Sequence, residues 1–273
     1  MDNLNIGGVP LKSHAVLAPM AGVSDRAYRE LCVRFGAAYC VSEMVSSKAL
    51  SFNSKKSEEL MEISDLERPC GIQIFGDDPK CMADAAKHAL ENKPDIIDIN
   101  MGCPFPMLAK RHNGSGILPY PEEVQALLSL LITEYPQISF SIKMRLGWED
   151  PEECLKLAPI INELPLRQVV MHPRLGKQQY KGEVDLKAFE AFQNACKHPL
   201  IYNGDINSVE DIHRIQEQFP GLAGIMIGRG LLANPALALE YRQNRALEFD
   251  EMREKLQSMH KCVYNQYAEQ LEG

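Results

Sequence analysis

The sequence lacks the features that mark a membrane-spanning or secreted protein. No apolar run approaches the roughly 20 residues that a transmembrane helix needs. No basic stretch followed by an apolar one opens the chain, which argues against a secretory signal. The cysteines form no C-x-x-C pair and have no zinc-finger spacing, so we expect no structural metal site; they stand at positions 32, 40, 70, 81, 103, 154, 196 and 262. Scattered thiols without a signal are typical of a reducing compartment, and we expect a cytoplasmic protein.

Basic residues are also scarce. Lys and Arg total 29 against 37 Asp and Glu, for a formal net charge of −8. This balance argues against a nonspecific nucleic-acid binder, which normally shows a basic footprint. A local basic patch remains compatible with it, because patches rather than totals bind phosphates.

What the sequence does contain is a repeated alternation of apolar strand-length runs and amphipathic helical stretches. Eight such pairs are predicted within 273 residues. The predicted strands are 15–22, 39–45, 70–75, 95–101, 138–146, 168–174, 199–206 and 224–228. The predicted helices are about 25–35, 55–63, 78–91, 121–134, 151–164, 186–196 and 208–219, with a short one from 234.

Eight β/α units favour a (β/α)8 TIM barrel, a fold of roughly 250 residues. An open doubly wound sheet is the alternative, but no G-x-G-x-x-G follows the first strand. We expect the barrel domain over residues 1–243 and a short C-terminal helical segment over 244–273, of which Leu247 to Gly273 reads as one charged helix.

The fourth predicted strand carries the most informative stretch, Asp95 to Pro104. Asp98 and Asn100 alternate with apolar residues, and Gly-Cys-Pro ends the strand and places Cys103 on the following turn. A buried structural cysteine would explain this stretch equally well.

Polar residues recur at the ends of six predicted strands. They are Gln73, then Asn100 with Cys103, Lys143 with Arg145, His172 with Arg174, Asn203 with Asp205, and Gly228-Arg229-Gly230. Each has a structural explanation alone, such as a turn or a solvated strand end. Together they favour an active site, because barrel active sites lie at the carboxyl ends of the strands and buried ionisable groups are costly. The Gly-Arg-Gly after the eighth strand has the ingredients of a phosphate site.

These residues resemble the dihydrouridine synthase family, flavin enzymes that reduce uridine in tRNA. The matching segments are Ala18 to Arg26, Gln73 to Gly76, Asn100 to Pro104, Lys143 to Gly147, His172 to Arg174, Asn203 to Ile206 and Met226 to Gly230. They run in family order through nearly the whole predicted barrel.

The resemblance implies an FMN cofactor reduced by NADPH and a tRNA substrate. The residues that it assigns to the cofactor are Pro19, Met20, Ala21, Gln73, Lys143, His172, Asn203, Gly204, Asp205, Gly228 and Arg229. Asn100, His172 and Arg174 would face the flipped uracil. Cys103 would donate a proton to C5 of the uracil while the flavin delivers hydride to C6. Burial and nearby cations act oppositely on the pKa of that thiol, and the sequence leaves the balance open.

Two segments depart from the family pattern. The family's helical tRNA-binding domain after the barrel has only Leu247 to Gly273 as its counterpart, so we expect that domain to be either shortened or truncated here. The loop from Pro106 to Gly116 keeps the basic and glycine residues of the family's catalytic loop, with other residues altered. Alternatives are therefore a reductase of ribosomal RNA or of a free pyrimidine, and a noncatalytic RNA-binding barrel. The sequence indicates neither the uridine modified nor the oligomeric state, for which a monomer is expected.

Overall fold

A computed structural model describes residues 5–6, 9–11 and 13–271, with side chains described for 11, 13–258 and 260–261. The strands are β1 Asn5–Ile6, β2 Val9–Pro10, β3 Ala15–Leu17, β4 Cys40–Ser46, β5 Cys70–Phe75, β6 Ile96–Met101, β7 Phe140–Gly147, β8 Gln168–Leu175, β9 Leu200–Asn203 and β10 Gly224–Ile227. The helices are α1 Arg26–Arg34, α2 Ser47–Leu50, α3 Lys55–Glu59, α4 Pro79–Glu91, α5 Pro106–Ala109, α6 Pro121–Glu134, α7 Glu153–Asn162, α8 Leu186–Ala195, α9 Val209–Gln218, α10 Arg229–Ala233, α11 Leu237–Gln243 and α12 Phe249–Leu271. In the described part of the chain, no helix is both long and apolar enough to cross a membrane.

Eight strands form one parallel sheet in the order β3-β10-β9-β8-β7-β6-β5-β4. The two ends of this order meet, because Leu17 N–H donates to Tyr39 O and Ala38 N–H donates to Ala15 O, both at 2.9 Å. The sheet therefore closes into a barrel, and helices separate the successive strands. The predicted TIM-barrel class is confirmed.

Alternation along the strands divides the apolar residues into two cores. One cluster fills the lower barrel interior, with the members Leu11, Val16, Ala18, Tyr39, Val41, Ile96, Val170, Ile201 and Met226. A larger cluster fills the layer between the sheet and the helices. Above the inner cluster the inward positions become polar, as in Asp98 and Asn100 on β6 and Lys143 and Arg145 on β7. The barrel interior is therefore apolar in its lower part and polar at the carboxyl ends of the strands.

Local capping explains where several helices begin. Asp25 accepts from the backbone N–H of Tyr28 at the start of α1, and Asp78 accepts from that of Cys81 at the start of α4. Pro79 follows as the first residue of α4, a position that needs no N–H donor. These caps support the helix starts that the sequence predicted near the same residues.

Four predicted boundaries were wrong by three or more residues. The helix α3 ends at Glu59 rather than Ile63, and the other three differences lie at the carboxyl rim. β3 ends at Leu17 rather than Gly22, because Pro19 has no N–H for a ladder and the carbonyl of Met20 accepts from the turn residues Val23 and Ser24. β9 ends at Asn203 rather than Ile206, since Gly204 and Asp205 take φ values of +148° and +48°. The last barrel helices begin at Arg229 and Leu237 instead of near Asn234.

The C-terminal segment packs back onto the barrel at its base. Leu247 and Met252 contact a small cluster formed by Phe35, Ala236 and Leu239. α12 then extends to Leu271, which agrees with the single helix predicted, and residues 272–273 lie outside the described part.

Candidate active site

A cavity of about 310 Å³ opens at the carboxyl ends of the barrel strands. All the residues predicted for the site line this cavity, with the exception of Arg174. The lining residues among them are Pro19, Met20, Ala21, Gln73, Asn100, Cys103, Lys143, His172, Asn203, Gly204, Asp205, Gly228 and Arg229. One side is apolar, and the opposite end carries charged groups. The volume is at the lower end of the range for small-molecule sites.

The turn that carries Cys103 is held from both sides. The side-chain oxygen of Asn100 accepts from the backbone N–H groups of Gly102 and Cys103, at 3.1 and 2.8 Å. The carbonyl of Cys103 accepts from the hydroxyl and backbone N–H of Ser115, at 2.9 and 3.0 Å. Gly114 has φ +57°, and a Cβ there would lie 2.5 Å from the same carbonyl, so only glycine fits. The thiol is therefore presented to the cavity by a fixed backbone.

A chain of hydrogen bonds connects this turn to a buried carboxylate. The Gln73 amide nitrogen donates to Asp98 at 2.7 Å, and the Asn100 amide nitrogen donates to the Gln73 oxygen at 2.7 Å. Ser141 donates to the other Asp98 oxygen at 2.5 Å. An ionised carboxylate only accepts, so Asp98 fixes which way both amides face and directs the oxygen of Asn100 toward the Cys103 turn. The Asn100 amide nitrogen also donates to the sulfur of Met44 at 3.6 Å, a weak acceptor that a ligand oxygen could replace.

Burial decides the state of the Cys103 thiol. Desolvation raises its pKa, and this outweighs the lowering by the backbone N–H of Phe105 and by the cations of Arg145 and Lys143. The balance that the sequence left open thus falls on the side of a protonated thiol at neutral pH. Such a group is suited to donate a proton.

Lys143 and Arg145 place two positive charges beside the thiol. Burial, followed by repulsion from Arg145, lowers the pKa of Lys143 to about 8. Lys143 makes no hydrogen bond to any described residue, so its ammonium is a free donor at the cavity wall. Arg145 is 1% exposed and is fixed by three carbonyls, those of Gly102, Leu175 and Gln179, at 2.9, 2.9 and 2.6 Å.

His172 is neutral and oriented by Arg174. Burial, and then the nearby arginines and Lys143, lower the pKa of His172 well below 6.5. An Arg174 nitrogen lies 3.2 Å from Nε2 of His172. Because arginine can only donate, Nε2 is the acceptor and the ring hydrogen is on Nδ1.

Arg174 lies outside the cavity lining and pairs with Asp205. Its two terminal nitrogens donate to the Asp205 carboxylate at 2.9 and 2.5 Å, and one also donates to the carbonyl of Gly182. Arg229 donates to Asp205 as well, at 3.1 Å, with its side chain 61% exposed. Arg174 contacts Asp205 and His172 and does not itself line the cavity, and its predicted role toward the uracil stays a prediction.

Arg145 and Tyr180 also line the cavity. The strand pattern had already placed Arg145 beside Lys143, and the family resemblance gave it no role of its own. Tyr180 comes from the loop after β8 and lies under two guanidinium groups, those of Arg145 and Arg229, each 5.3 Å from the ring centroid. No local pattern marks Tyr180, because its position depends on the path of a long loop.

A second cluster lies at the opposite end of the barrel. The thiols of Cys40 and Cys70 are 3.4 Å apart, and they lie close to the Glu67 carboxylate. Such a set could hold a metal, but Arg29 already donates to Glu67 at 2.5 Å in this buried cluster. A guanidinium there would repel a metal cation, which argues against a bound metal. The expectation of no structural metal site stays a prediction.

The comparisons with known proteins agree with this geometry. A family model described as dihydrouridine synthase (Dus) matches residues 16–272. The tRNA-dihydrouridine synthase B of Vibrio parahaemolyticus is 36% identical over 233 residues, covering 85% of this chain and 72% of that protein. The enzyme of the same name from Escherichia coli K12 is 33% identical over the same shares.

Solved structures show the same fold at low sequence identity. The old yellow enzyme from Trypanosoma cruzi has a TM-score of 0.67 at 11% identity and covers 91% of this chain and 93% of its own. A histamine dehydrogenase from Rhizobium sp. 4-9 has a TM-score of 0.72 at 11% identity, covering 89% of this chain and 48% of its own. With a matching family model over most of the chain and relatives above 30% identity, this protein belongs to the dihydrouridine synthase family.

Proposed function

We propose that this protein reduces the C5–C6 double bond of uridine in tRNA, using FMN as the resident flavin and NADPH as the reductant. The observation that carries the proposal is a protonated thiol, Cys103, fixed at the wall of a cavity with the donors expected for a flavin and a flat pyrimidine. Family membership selects the reaction class, and the relatives' names select tRNA. A tRNA substrate is also the reason that we propose a cytoplasmic location.

The residues present fit a flavin. The unpaired ammonium of Lys143 needs an acceptor, and a flavin offers polar ring atoms along one edge. Pro19, Met20 and Ala21 supply an apolar surface for a planar ring. When bound, FMN would supply a hydride to C6 of the uracil.

The opposite end of the cavity fits an anionic tail. Asn203 is anchored by donating to the carbonyl of Met226 at 2.8 Å, and Gly204 and Gly228 let backbone approach closely. Arg229 supplies an exposed guanidinium suited to a phosphate. Asp205 would hold Arg229 in place and accept from a tail hydroxyl.

The roles that we assign around the uracil follow from protonation states. Cys103 holds the proton that C5 receives, since burial keeps its pKa above the ordinary value. Lys143 and Arg145 stabilise negative charge on the uracil carbonyl oxygens. His172 donates from Nδ1, and Asn100 donates to the uracil in place of its weak hydrogen bond to the Met44 sulfur. Arg174 is a positioning residue, because it orients His172 and neutralises Asp205.

A Cys103→Ala variant tests the proposal. We expect the protein to bind flavin and to be reduced by NADPH as the unaltered protein is, with dihydrouridine formation strongly suppressed. Cys81→Ala is the matched control, because Cys81 is a free thiol at the start of α4, away from the cavity. Full product formation by Cys103→Ala would remove this thiol from the mechanism.

The same assay compares substrates and cofactors. The substrates are tRNA from a strain lacking this protein, ribosomal RNA and free uracil, each with NADPH or NADH, and the extracted flavin is identified by mass. We expect turnover on tRNA with NADPH and recovery of FMN. Turnover on ribosomal RNA or uracil alone would replace tRNA as the substrate. A protein that binds tRNA without taking up any flavin would be a noncatalytic barrel.

The division of the chain remains our prediction. We propose a catalytic barrel over residues 1–243 and a helical segment over 244–273 that corresponds to part of a tRNA-binding helical domain.

A further inference from the structure

The segment directly after the cavity thiol carries two apolar side chains into solvent. Cys103 and Pro104 line the cavity, and the chain then turns outward. Phe105 is 55% exposed and Met107 is 69% exposed, with the exposed Pro106 between them. Large apolar groups grouped at a cavity rim are a common mark of a binding surface.

The backbone that carries these side chains is fixed. The carbonyl of Phe105 accepts from the N–H groups of both Leu108 and Ala109 at 3.0 Å. Gly116 packs so closely beneath that a Cβ on it would lie 2.4 Å from the Cα of Ala109. Residues 113–118, which form the base of the segment, are all buried. The apolar tip is therefore presented at a defined place beside the cavity mouth.

Positive charge accompanies the tip. Lys110 and Arg111 follow within the same segment and are both exposed, in a chain whose net charge is −8. A rigid apolar tip followed by two cations fits a base stacked beside a phosphate backbone. An apolar protein partner would not call for these charges.

We infer that Phe105 stacks, with Met107 beside it, on the nucleobase next to the uridine that enters the cavity, while Lys110 and Arg111 contact the flanking phosphates. The inference rests on the proposed function and specifies how the RNA is held. Phe105 is two residues from Cys103, at most about 7 Å along the chain, so it lies close to the place where the uridine would enter.

The energetics favour such a contact. Extruding a uridine from its stack costs a few kcal/mol, and apolar side chains commonly fill the space that an unstacked base leaves. Stacking a base on an aromatic side chain contributes about 1–3 kcal/mol, which corresponds to about 5- to 150-fold in an equilibrium constant. Phe105 can thus offset much of the cost of flipping.

The test uses the full flavin-loaded protein and unmodified tRNA from a strain lacking it. We expect Phe105→Ala to weaken tRNA affinity and to slow tRNA-dependent reoxidation of the reduced protein by about 5-fold or more. NADPH-driven flavin reduction and the thermal midpoint should stay unchanged, because Phe105 does not line the cavity. Phe105→Trp should restore most of the loss, since it keeps an aromatic face.

A tRNA carrying 2-aminopurine beside the modified uridine reports stacking directly. Its fluorescence should be quenched by the unaltered protein and by Phe105→Trp, and less by Phe105→Ala. Leu66→Ala is the control, as it truncates an exposed apolar side chain just before β5 at the opposite end of the barrel.

The outcomes separate this inference from the proposed function. Failure of the unaltered protein to be reoxidised by tRNA refutes the function. If tRNA reoxidises the Phe105→Ala variant as fast as it reoxidises the unaltered protein, the stacking contact alone is overturned. The same holds if Phe105→Trp restores none of the lost tRNA affinity.

Discussion

Replacing Asp98 by Asn tests whether one buried carboxylate sets the charge state of the site. Asp98 is 2% exposed and lies under the cavity floor, where burial raises its pKa. Burial and Arg145 lower the pKa of Lys143 to about 8, and the negative charge of Asp98 acts in the opposite direction by raising that pKa. The change to Asn keeps the shape of the side chain and removes the charge.

The size of the effect follows from the strand register. Asp98 pairs with Ser141 across β6 and β7, and Lys143 lies two residues further along β7. A strand spacing of about 4.8 Å and a rise of about 3.3 Å per residue put the two positions about 8 Å apart. At an effective dielectric constant of about 20, the interaction is about 2 kcal/mol, which corresponds to about 1.5 pKa units.

The expected result is a shift in the pH dependence of turnover. Lys143 stabilises uracil charge only while protonated, so dihydrouridine formation by the unaltered protein should fall as the pH rises through about 8. In Asp98→Asn the pKa of Lys143 drops further, and the alkaline limb should move to a pH about 1.5 units lower. The assay is turnover at saturating tRNA between about pH 6 and about pH 9.5.

Stability provides the control on a merely structural role. The folded-state pKa of Asp98 is raised, so its ionised form destabilises the fold, and stability increases as the pH falls through that pKa. Asn removes this cost and also the charge-assisted bonds, so we expect little loss in the thermal midpoint. Asp95→Asn, just before β6, keeps an oxygen that can accept from the Cys70 N–H, removes a charge that faces Arg68, and should leave the limb in place. The reasoning would be refuted if the alkaline limb of the pH profile did not move in Asp98→Asn, or if it moved by the same amount in Asp95→Asn.

Three further changes have definite expected outcomes. Gly204→Ala places a Cβ 3.0 Å from Val184 and 3.2 Å from His172, at a backbone φ of +148°. Calorimetry should therefore show about 1–3 kcal/mol of destabilisation, and titration with FMN should show a weaker affinity. Unchanged stability and affinity would contradict the tight fit at this position. Arg29→Met leaves the fully buried Glu67 uncompensated and should lower the unfolding free energy in urea by about 3–5 kcal/mol, whereas a loss within error would show that the pair is not needed. The pKa of His172 lies well below 6.5, so NMR should find its ring neutral from about pH 5.5 to about pH 7.5, and a resonance titrating near neutrality would be inconsistent with its burial.

Most of the fold could be predicted because the signals were local. Strand β5 and helix α6 have the predicted bounds, Cys70–Phe75 and Pro121–Glu134, since an apolar run and an N-terminal proline mark them directly. The errors fall where the end of a strand or helix is set by tertiary contacts. At β3 the apolar run in the sequence continues past the last residue of the strand, Leu17. The short α5 was also missed, and it belongs to the segment that carries Phe105.

The candidate site shows a similar division. Strand periodicity and the family resemblance identified residues that do line one cavity, because side chains at alternate positions of closing strands must converge. The hydrogen-bond partners of Asn100 and Arg174 could not be predicted from the sequence. Asn100 uses its oxygen on the backbone of the Cys103 turn, and Arg174 is engaged by Asp205, both through partners distant in sequence.

The sequence by itself determined the eight-unit alternation, the barrel class and the family, since these depend on periodicity and on motifs read along the chain. Only the tertiary structure decided that burial outweighs two cations at Cys103, that Lys143 has a pKa near 8, and that Tyr180 meets Arg145 and Arg229. The physical reason is that desolvation and charge interactions depend on distance and on exclusion of water, and both are set by packing between segments far apart in the chain.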